Sequence, residues 1–184
     1  SNEFRIQDYI DWAIDAVPYH LNRDGQDIVL TEFPFKSLMQ GEHPKINADI
    51  DDWMEHVGML FPEVRIKNII EIRSMDTLIP EDVLAVPSLL KALIYDEAVF
   101  SKLESLLMDL NEEEFPWYQQ VAARDGLEGK VNRVNFKEMG IRMMEWALES
   151  LNLVEGCRLK VFFDRYTRHG ISPADTVLER FFAT

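Results

Sequence analysis

Residues 63–73 carry charged side chains at a spacing that could do chemistry. Side chains alternate between the two faces of a β-strand, so a strand over this segment would be charged on one face and mostly apolar on the other. Glu71 and Arg73 stand two positions apart and would project side by side. A carboxylate can bind Mg²⁺ through oxygen, and a guanidinium can grip a phosphate or carboxylate with its planar fork of donors. The spacing therefore indicates a site for a metal-bound phosphate.

The charged face has a second interpretation. On alternation alone, a sheet with one solvated face is favoured, and a salt bridge between neighbouring strands would explain the same charges. Against this, the face has a net positive charge in a chain of formal charge −14, which favours a local anion site. Both interpretations stay open on the pattern alone. The face comprises Glu63, Arg65, Lys67, Ile69, Glu71 and Arg73.

Apolar residues recur at helical spacing over most of the chain around this segment, which predicts helices there. Asp24–Gly25, between two apolar runs, predicts a β-hairpin, and the acids from Asp49 to Asp52 predict the start of a helix. Ser172 and Pro173 predict the start of the last helix. The fold class is therefore α+β, mostly helical with a small antiparallel sheet, in a single domain over residues 1–184. The other predicted helices cover residues 6–16, 35–40, 81–95 with a kink at Pro87, 97–110, 112–124 and 136–153.

Composition excludes several classes of protein. The 19 basic and 33 acidic residues, and a pI near 4.6, argue against a general binder of nucleic-acid backbones. Apolar runs stay far below the roughly 18 residues that a membrane span needs, so no membrane partner is expected. The first residues lack the pattern of a signal peptide. The single Cys157 cannot form an internal disulfide, which fits a reducing compartment, and we expect a cytoplasmic protein.

The remaining candidate groups predict no further chemistry. The four histidines lack the spacing of metal ligands, and His56 receives no role. Cys157 has no histidine near it in sequence and only Arg158 as a basic neighbour, which indicates a buried or inert thiol.

The segment with the charged face resembles a known family. The run WMEHVGMLFPEVRIK over residues 53–67, followed by IEIRSMD over residues 70–76, is similar to the glutamate–cysteine ligase family of plants and proteobacteria. That family carries a D-W-x-x-H-L-x-x-L-F-P-E-V-R-L-K run and then an E-x-R-x-x-D run. The similarity extends to YIDWAIDAVP over 9–18, AVPSLLKALIYD over 85–96 and, more weakly, GISPAD over 170–175, which together cover nearly the whole chain.

The resemblance implies a concrete activity. Such enzymes use ATP to join the γ-carboxylate of glutamate to the amine of cysteine through γ-glutamyl phosphate, the first step of glutathione biosynthesis. Their fold is glutamine synthetase-like, and this chain would be part of it. By resemblance, Glu71 is a magnesium ligand, Arg73 is catalytic at the transferred phosphoryl group, and Arg65 and Lys67 bind substrate or phosphate. Glutamate, cysteine, ATP and Mg²⁺ are the implied partners of the complete enzyme.

The chain also departs from that family. The G-x-E-x-E pattern that supplies further metal carboxylates is absent, and the chain is shorter than such enzymes. We therefore predict the C-terminal fragment of a larger ligase, inactive alone and without tight binding of Mg²⁺ or ATP. The alternative is a non-catalytic helical interaction module derived from the same family. Self-association through an open sheet edge is a further expectation.

Overall fold

The computed structural model describes residues 4–182 of a chain that divides into two compact units, Ser1–Met75 and Asp76–Thr184. Helices dominate, and each sheet in the described residues is a two-stranded antiparallel hairpin. The predicted α+β class is therefore confirmed. That residues 1–184 act as one domain of a larger ligase stays a prediction, as does the likeness to the glutamine synthetase-like fold.

Within residues 4–75, the first unit contains helices and two hairpins, and helices pack against the first hairpin, residues 20–29. The turn of this hairpin places Asp24 and Gly25 at φ of 54° and 80°, the positive values that a tight two-residue turn requires, so the predicted hairpin is confirmed. The side chain of Asp49 accepts hydrogen bonds from the N–H groups of Asp51 and Asp52, which confirms the predicted helix start. The elements are α1 Ile6–Asp15, β1 His20–Arg23, β2 Gln26–Val29, α2 Phe35–Met39, α3 Ile50–Met59, β3 Val64–Ile66 and β4 Ile70–Ile72.

The core of the first unit is built from residues of the hairpin, α2 and the loop that follows it. Phe35 and Leu38 of α2 are buried against Leu21 of β1, together with Leu30 and Ile46. These apolar contacts hold α2 against β1, in the same unit that contains the charged segment.

The second unit is a helical assembly with one short hairpin. Its main core lies where α4, α7 and α8 meet, and a smaller cluster joins α6, β5 and the start of α7. The main core includes Ala92, Met144, Ala147, Leu159 and Phe163. The elements are α4 Ala85–Tyr95, α5 Glu97–Met108, α6 Phe115–Asp125, β5 Lys130–Val131, β6 Val134–Asn135, α7 Phe136–Ser150, α8 Leu153–Arg165 and α9 Pro173–Phe182.

Three features of the second unit differ from the sequence prediction. Helix α4 begins at Ala85 rather than near residue 81, so Pro87 lies in the first turn, where its missing N–H costs no intrahelical bond. Helix α8 was not predicted, although Asn152 caps it and Leu159 and Phe163 are spaced as one buried face. The Cys157 side chain is exposed, so the first of its two predicted alternatives, a buried thiol, is wrong, and the second, an inert thiol, stays a prediction.

A buried carboxylate ties the start of the second unit to α8. Asp82 is only 2% exposed and accepts hydrogen bonds from Arg165 Nη1 at 2.9 Å and from the Tyr166 hydroxyl at 2.8 Å. The Tyr166 hydroxyl, followed by the charge of Asp82, holds the pKa of the Arg165 guanidinium above its ordinary value.

Every helix within residues 4–182 is too short or too polar to cross a lipid bilayer.

Candidate functional site

The charged segment is a hairpin rather than one strand. Residues 64–66 and 70–72 pair in antiparallel fashion, and the chain reverses where the Lys67 N–H donates to the Ile69 carbonyl at 3.0 Å. The prediction of a continuous strand over residues 63–73 is therefore wrong. Asn68 lies at the reversal, and this turn-forming residue in the otherwise apolar series was the signal for it.

The predicted charged face nevertheless survives the reversal. The register opposes Arg65 to Glu71, so odd-numbered residues meet odd-numbered residues and stay on one face of the hairpin. The Arg73 N–H donates to the Glu63 carbonyl at 2.7 Å and extends the ladder by one pair. The hairpin therefore brings together the side chains that a single strand would have aligned.

Arg65 is the structural centre of this face. Its Nε and Nη2 atoms lie 2.7 Å and 2.6 Å from Glu71 Oε2, and its Nη1 donates to the Gly58 carbonyl at 2.6 Å. A guanidinium at the carboxyl end of a helix neutralises the partial negative charge of the last carbonyl groups. Arg65 thus anchors the hairpin to α3, and the cross-strand salt bridge of the second interpretation is real.

Two other cations of this face remain without an acidic partner among the described residues. The Arg73 guanidinium lies 4.9 Å from the centre of the Phe61 ring and is otherwise exposed to solvent. Lys67 is exposed, and within residues 4–182 its side chain forms neither an ion pair nor a hydrogen bond. Since Arg65 and Glu71 neutralise each other, Lys67 and Arg73 are the groups available to an external anion.

Glu71 is the one predicted metal ligand, and its two oxygens differ. Oε2 is held by Arg65, whereas Oε1 forms no hydrogen bond with a described residue. No group of three or more carboxylate, imidazole or thiol ligands gathers anywhere in residues 4–182. Mg²⁺ commonly takes only one or two protein carboxylates and completes its shell with phosphate oxygens and water. Glu71 therefore fits one position of such a shell, not a complete protein cage.

The opposite face of the hairpin is apolar but largely uncovered. Val64 is 45% exposed and Ile70 is 69% exposed, while Ile66 and Ile72 are half-buried. Alternation correctly predicted the apolar character of these positions. It could not show that this face would lack a covering layer within the described residues.

Two polar groups lie on the buried side of α3: Asp52, which the sequence predicted only as a helix-start acid, and His56, to which it assigned no role. Burial would raise the pKa of Asp52, but the Arg23 guanidinium, with Nη2 2.7 Å from Oδ2, and the Asp49 N–H hold that pKa below its ordinary value. His56 is fully buried, stacks on Phe35 at 4.7 Å between ring centres, and burial lowers its pKa. These groups fasten α3 and have no contact that points to catalysis.

The described part of the chain is mostly helical, and its β3–β4 hairpin presents two unpaired cations beside a carboxylate. These features define a candidate anion-binding protein of the α+β class. The model of the family described as Glutamate-cysteine ligase family 2 (GCS2) matches residues 1–182. The chain therefore belongs to this family, as the resemblance of residues 53–76 predicted.

Curated relatives agree with this assignment. The chain is 26% identical to the chloroplastic glutamate–cysteine ligase of Brassica juncea, over 98% of this chain and 36% of that protein. It is 26% identical to the Nicotiana tabacum protein of the same name over 97% of this chain and 35% of the relative, and 25% identical to the Arabidopsis thaliana protein over 98% and 36%. The chain thus spans about a third of the length of the curated relatives it matches.

Proposed function

We propose that this chain is the C-terminal part of an ATP-dependent glutamate–cysteine ligase and supplies one wall of its active site. The observation that carries this proposal is the placement of the unpaired cations Lys67 and Arg73 on the same hairpin face as Glu71. Family membership makes that face a candidate for the ligase reaction rather than a solvated surface. Related ligases are chloroplastic in plants, and a cytoplasmic location for this chain stays a prediction.

The proposed reaction has two steps. The γ-carboxylate of glutamate attacks the terminal phosphorus of ATP, which breaks the bond to ADP and forms γ-glutamyl phosphate. The amine of cysteine then attacks the acyl carbon, loses its proton and displaces inorganic phosphate, which leaves γ-glutamylcysteine. Both steps develop negative charge on phosphoryl oxygens, so fixed cations at that position lower the barrier.

Each charged side chain of the hairpin has its own proposed role in these steps. Arg73 would contact the transferred phosphoryl group with its planar fork, and the Phe61 ring beneath it restricts the guanidinium before substrate arrives. Lys67 would act as a point charge for phosphate. The proposed binding role of Arg65 is less direct, because its guanidinium is already engaged with Glu71 and the end of α3. We propose that Arg65 acts mainly by positioning Glu71.

Glu71 would hold Mg²⁺ through the Oε1 atom that Arg65 leaves free. The metal ion would supply charge neutralisation on the phosphate oxygens when bound. Because Glu71 provides a single ligand, we expect the 184-residue chain alone to bind Mg-ATP weakly and to show no turnover. Titration calorimetry of this chain with Mg-ATP tests that expectation, and tight binding would contradict an incomplete site.

The decisive experiment uses the longest natural polypeptide that contains these residues. Arg73→Ala should lower kcat by about 10²–10³-fold, the usual effect of losing one preorganised charge on the transition state, with little change in the urea midpoint of unfolding. Lys45→Ala, which removes an exposed cation of the same unit that has no ionic partner among the described residues, is the matched control. Equal rate loss in both variants, or loss of the fold in Arg73→Ala, would defeat the assignment.

The second candidate function is a non-catalytic helical interaction module. It is favoured by the large apolar side chains that the helices expose, including Met108 at 78% and Trp117 at 60%. The same kinetic experiment separates the two functions. A module of this kind would give no turnover in the longest natural polypeptide, whatever residue stands at position 73.

A further inference from the structure

The second unit contains an open cavity of about 260 Å³ that none of the roles above uses. It lies where the end of α5 meets β6 and the first two turns of α7. Pockets for drug-sized ligands usually measure about 300–1,000 Å³, so this volume suits a smaller molecule. Four apolar side chains line it, Leu106, Leu110, Val134 and Met139.

Charged side chains of both signs share this cavity. Arg133 and Arg142 contribute two positive charges, and Asp109 and Glu138 contribute two negative charges. A lining with equal numbers of each sign gives no net attraction for a simple anion or a simple cation. It matches a ligand that carries a carboxylate and an ammonium group together.

The arginines of the cavity are not neutralised by acids among the described residues. The Arg142 guanidinium lies 5.3 Å from the centre of the Trp146 ring and forms no ion pair there. Arg133 donates from Nη2 to the backbone carbonyl of Asp109 at 3.0 Å. The Asp109 carboxylate itself has neither a hydrogen-bond partner nor an ionic partner within residues 4–182. Both signs of charge are therefore available to a ligand.

A neighbouring cavity of about 320 Å³ shows the contrast. It shares Asp109, Arg133 and Val134 with the first, but three of its other polar side chains are hydrogen-bonded to one another. Glu114 accepts from the Tyr118 hydroxyl and from Asn132 Nδ2, each at 2.7 Å. Ligand binding there would have to break these bonds. In the first cavity, Glu138 Oε1 accepts from Asn135 Nδ2 at 2.8 Å, but the Arg142 guanidinium and the Asp109 carboxylate form no hydrogen bond with a described residue.

We propose that the cavity between α5, β6 and α7 binds a free α-amino acid with an apolar side chain. The carboxylate pairs with Arg142 and Arg133, and the ammonium group pairs with Asp109 and Glu138. The side chain lies along the apolar lining. This site goes beyond the ligase reaction, since the proposed substrates glutamate and cysteine lack a large apolar side chain.

Titration calorimetry with L-leucine on the 184-residue chain tests this site. We expect saturable binding, and binding at least about tenfold weaker to 4-methylpentanoate, which lacks the ammonium group, and to L-leucinamide, which lacks the carboxylate. In ¹⁵N-resolved NMR spectra, L-leucine should shift the amide signals of Val134, Asn135 and Met139 and leave those of the β3–β4 hairpin unchanged. No saturation up to about 20 mM, or shifts confined to other residues, would overturn the proposal.

A pair of variants separates the site from general charge effects. Arg142→Gln should weaken L-leucine binding about tenfold or more, while Arg158→Gln, at an exposed arginine of α8 outside the cavity, should leave it unchanged. Thermal unfolding of both variants confirms that each is folded. Equal weakening in both variants would overturn the site. Binding of 4-methylpentanoate as tight as that of L-leucine would show an anion site only and would equally overturn it.

Discussion

Arg65 and Glu71 bind each other across the β3–β4 hairpin, with both Nε and Nη2 of Arg65 within 2.7 Å of Glu71 Oε2. The same guanidinium holds the Gly58 carbonyl near the end of α3. One side chain therefore fixes the proposed metal ligand, closes the hairpin and attaches it to a helix. Because the pair neutralises itself, the positive charge of this face is carried by Lys67 and Arg73.

Replacing Arg65 should reduce stability more than replacing its exposed neighbour. Arg65→Ala leaves the half-buried Glu71 unpaired and removes the bond to Gly58, so we expect the free energy of unfolding to fall by about 1–3 kcal/mol. Arg73→Ala should cost less than about 1 kcal/mol, since it removes only a cation–π contact with Phe61. Urea denaturation of both variants measures the difference, and equal losses would contradict the structural role of Arg65.

The charged face could be predicted from the sequence because alternation depends only on residue parity. The hairpin register opposes Arg65 to Glu71, and an even sum of the paired numbers keeps every odd residue on one face. The prediction of one continuous strand was wrong because the chain reverses at Asn68, within a continuous run of β-forming residues. The salt bridge of Arg65 was only an open alternative, since its partner depends on the register.

The helices were predicted where a cap and a breaker bounded an apolar period. Asp49 for α3 and Ser172 with Pro173 for α9 are such signals. Helix α8 was not predicted because only two residues, Leu151 and Asn152, separate it from α7, so its apolar period follows directly on that of α7. The unpaired state of Lys67 and Arg73 could not be predicted, because it depends on which acids fold near them.

Asp52 should contribute strongly to the stability of the first unit. Asp52→Ala removes the carboxylate that binds Arg23 and accepts from the Asp49 N–H, and we expect a loss of about 2–3 kcal/mol. Asp51→Ala, at an exposed position in the same turn, is the control and should cost less than about 0.5 kcal/mol. Guanidinium denaturation at neutral pH compares them, and similar losses at both positions would refute the buried pair.

The lowered pKa of Asp52 also predicts acid sensitivity. Its folded pKa lies below the unfolded value near 3.9, so its ionised form stabilises the protein above about pH 4. That contribution is lost as the pH falls through the folded pKa. Asp52→Asn should therefore show a weaker fall in stability below about pH 4 than the wild-type chain, measured by urea midpoints at a series of pH values. An unchanged slope would contradict the assignment.

His56 predicts a second pH window at milder acidity. Burial lowers its folded pKa below the unfolded value near 6.5, so its contribution is complete above about pH 6.5 and is lost as the pH falls towards the folded pKa. His56→Gln can still donate to the Ala13 carbonyl but cannot titrate. Between pH 7.5 and about 5.5, this variant should lose less stability than the wild-type chain. His169→Gln, at an exposed histidine, should lose as much as the wild type, and identical slopes in all three would disprove the role of His56.

Asp82 should couple the start of the second unit to the end of α8. Its carboxylate accepts from Arg165 and from the buried Tyr166 hydroxyl, so Asp82→Ala leaves that hydroxyl without its acceptor and should cost about 2 kcal/mol. Tyr166→Phe removes the same bond without leaving an unpaired hydroxyl and should cost about 1 kcal/mol. Glu81→Ala, at the exposed neighbouring carboxylate, should be nearly neutral.

Hydrogen exchange tests which amides lose protection when Asp82 is replaced by alanine. Exchange should accelerate at the amides of Ala85, Tyr166 and Ile171 in Asp82→Ala, because the hydrogen bonds of these groups lie beside the carboxylate or its partners. The amides of α3 belong to the other unit and should exchange as in the wild-type chain. If α3 amides accelerate to the same extent, the variant has lost global stability and Asp82 does not act as a local tie. If no amide changes, the bonds of Asp82 to Arg165 and Tyr166 carry no free energy.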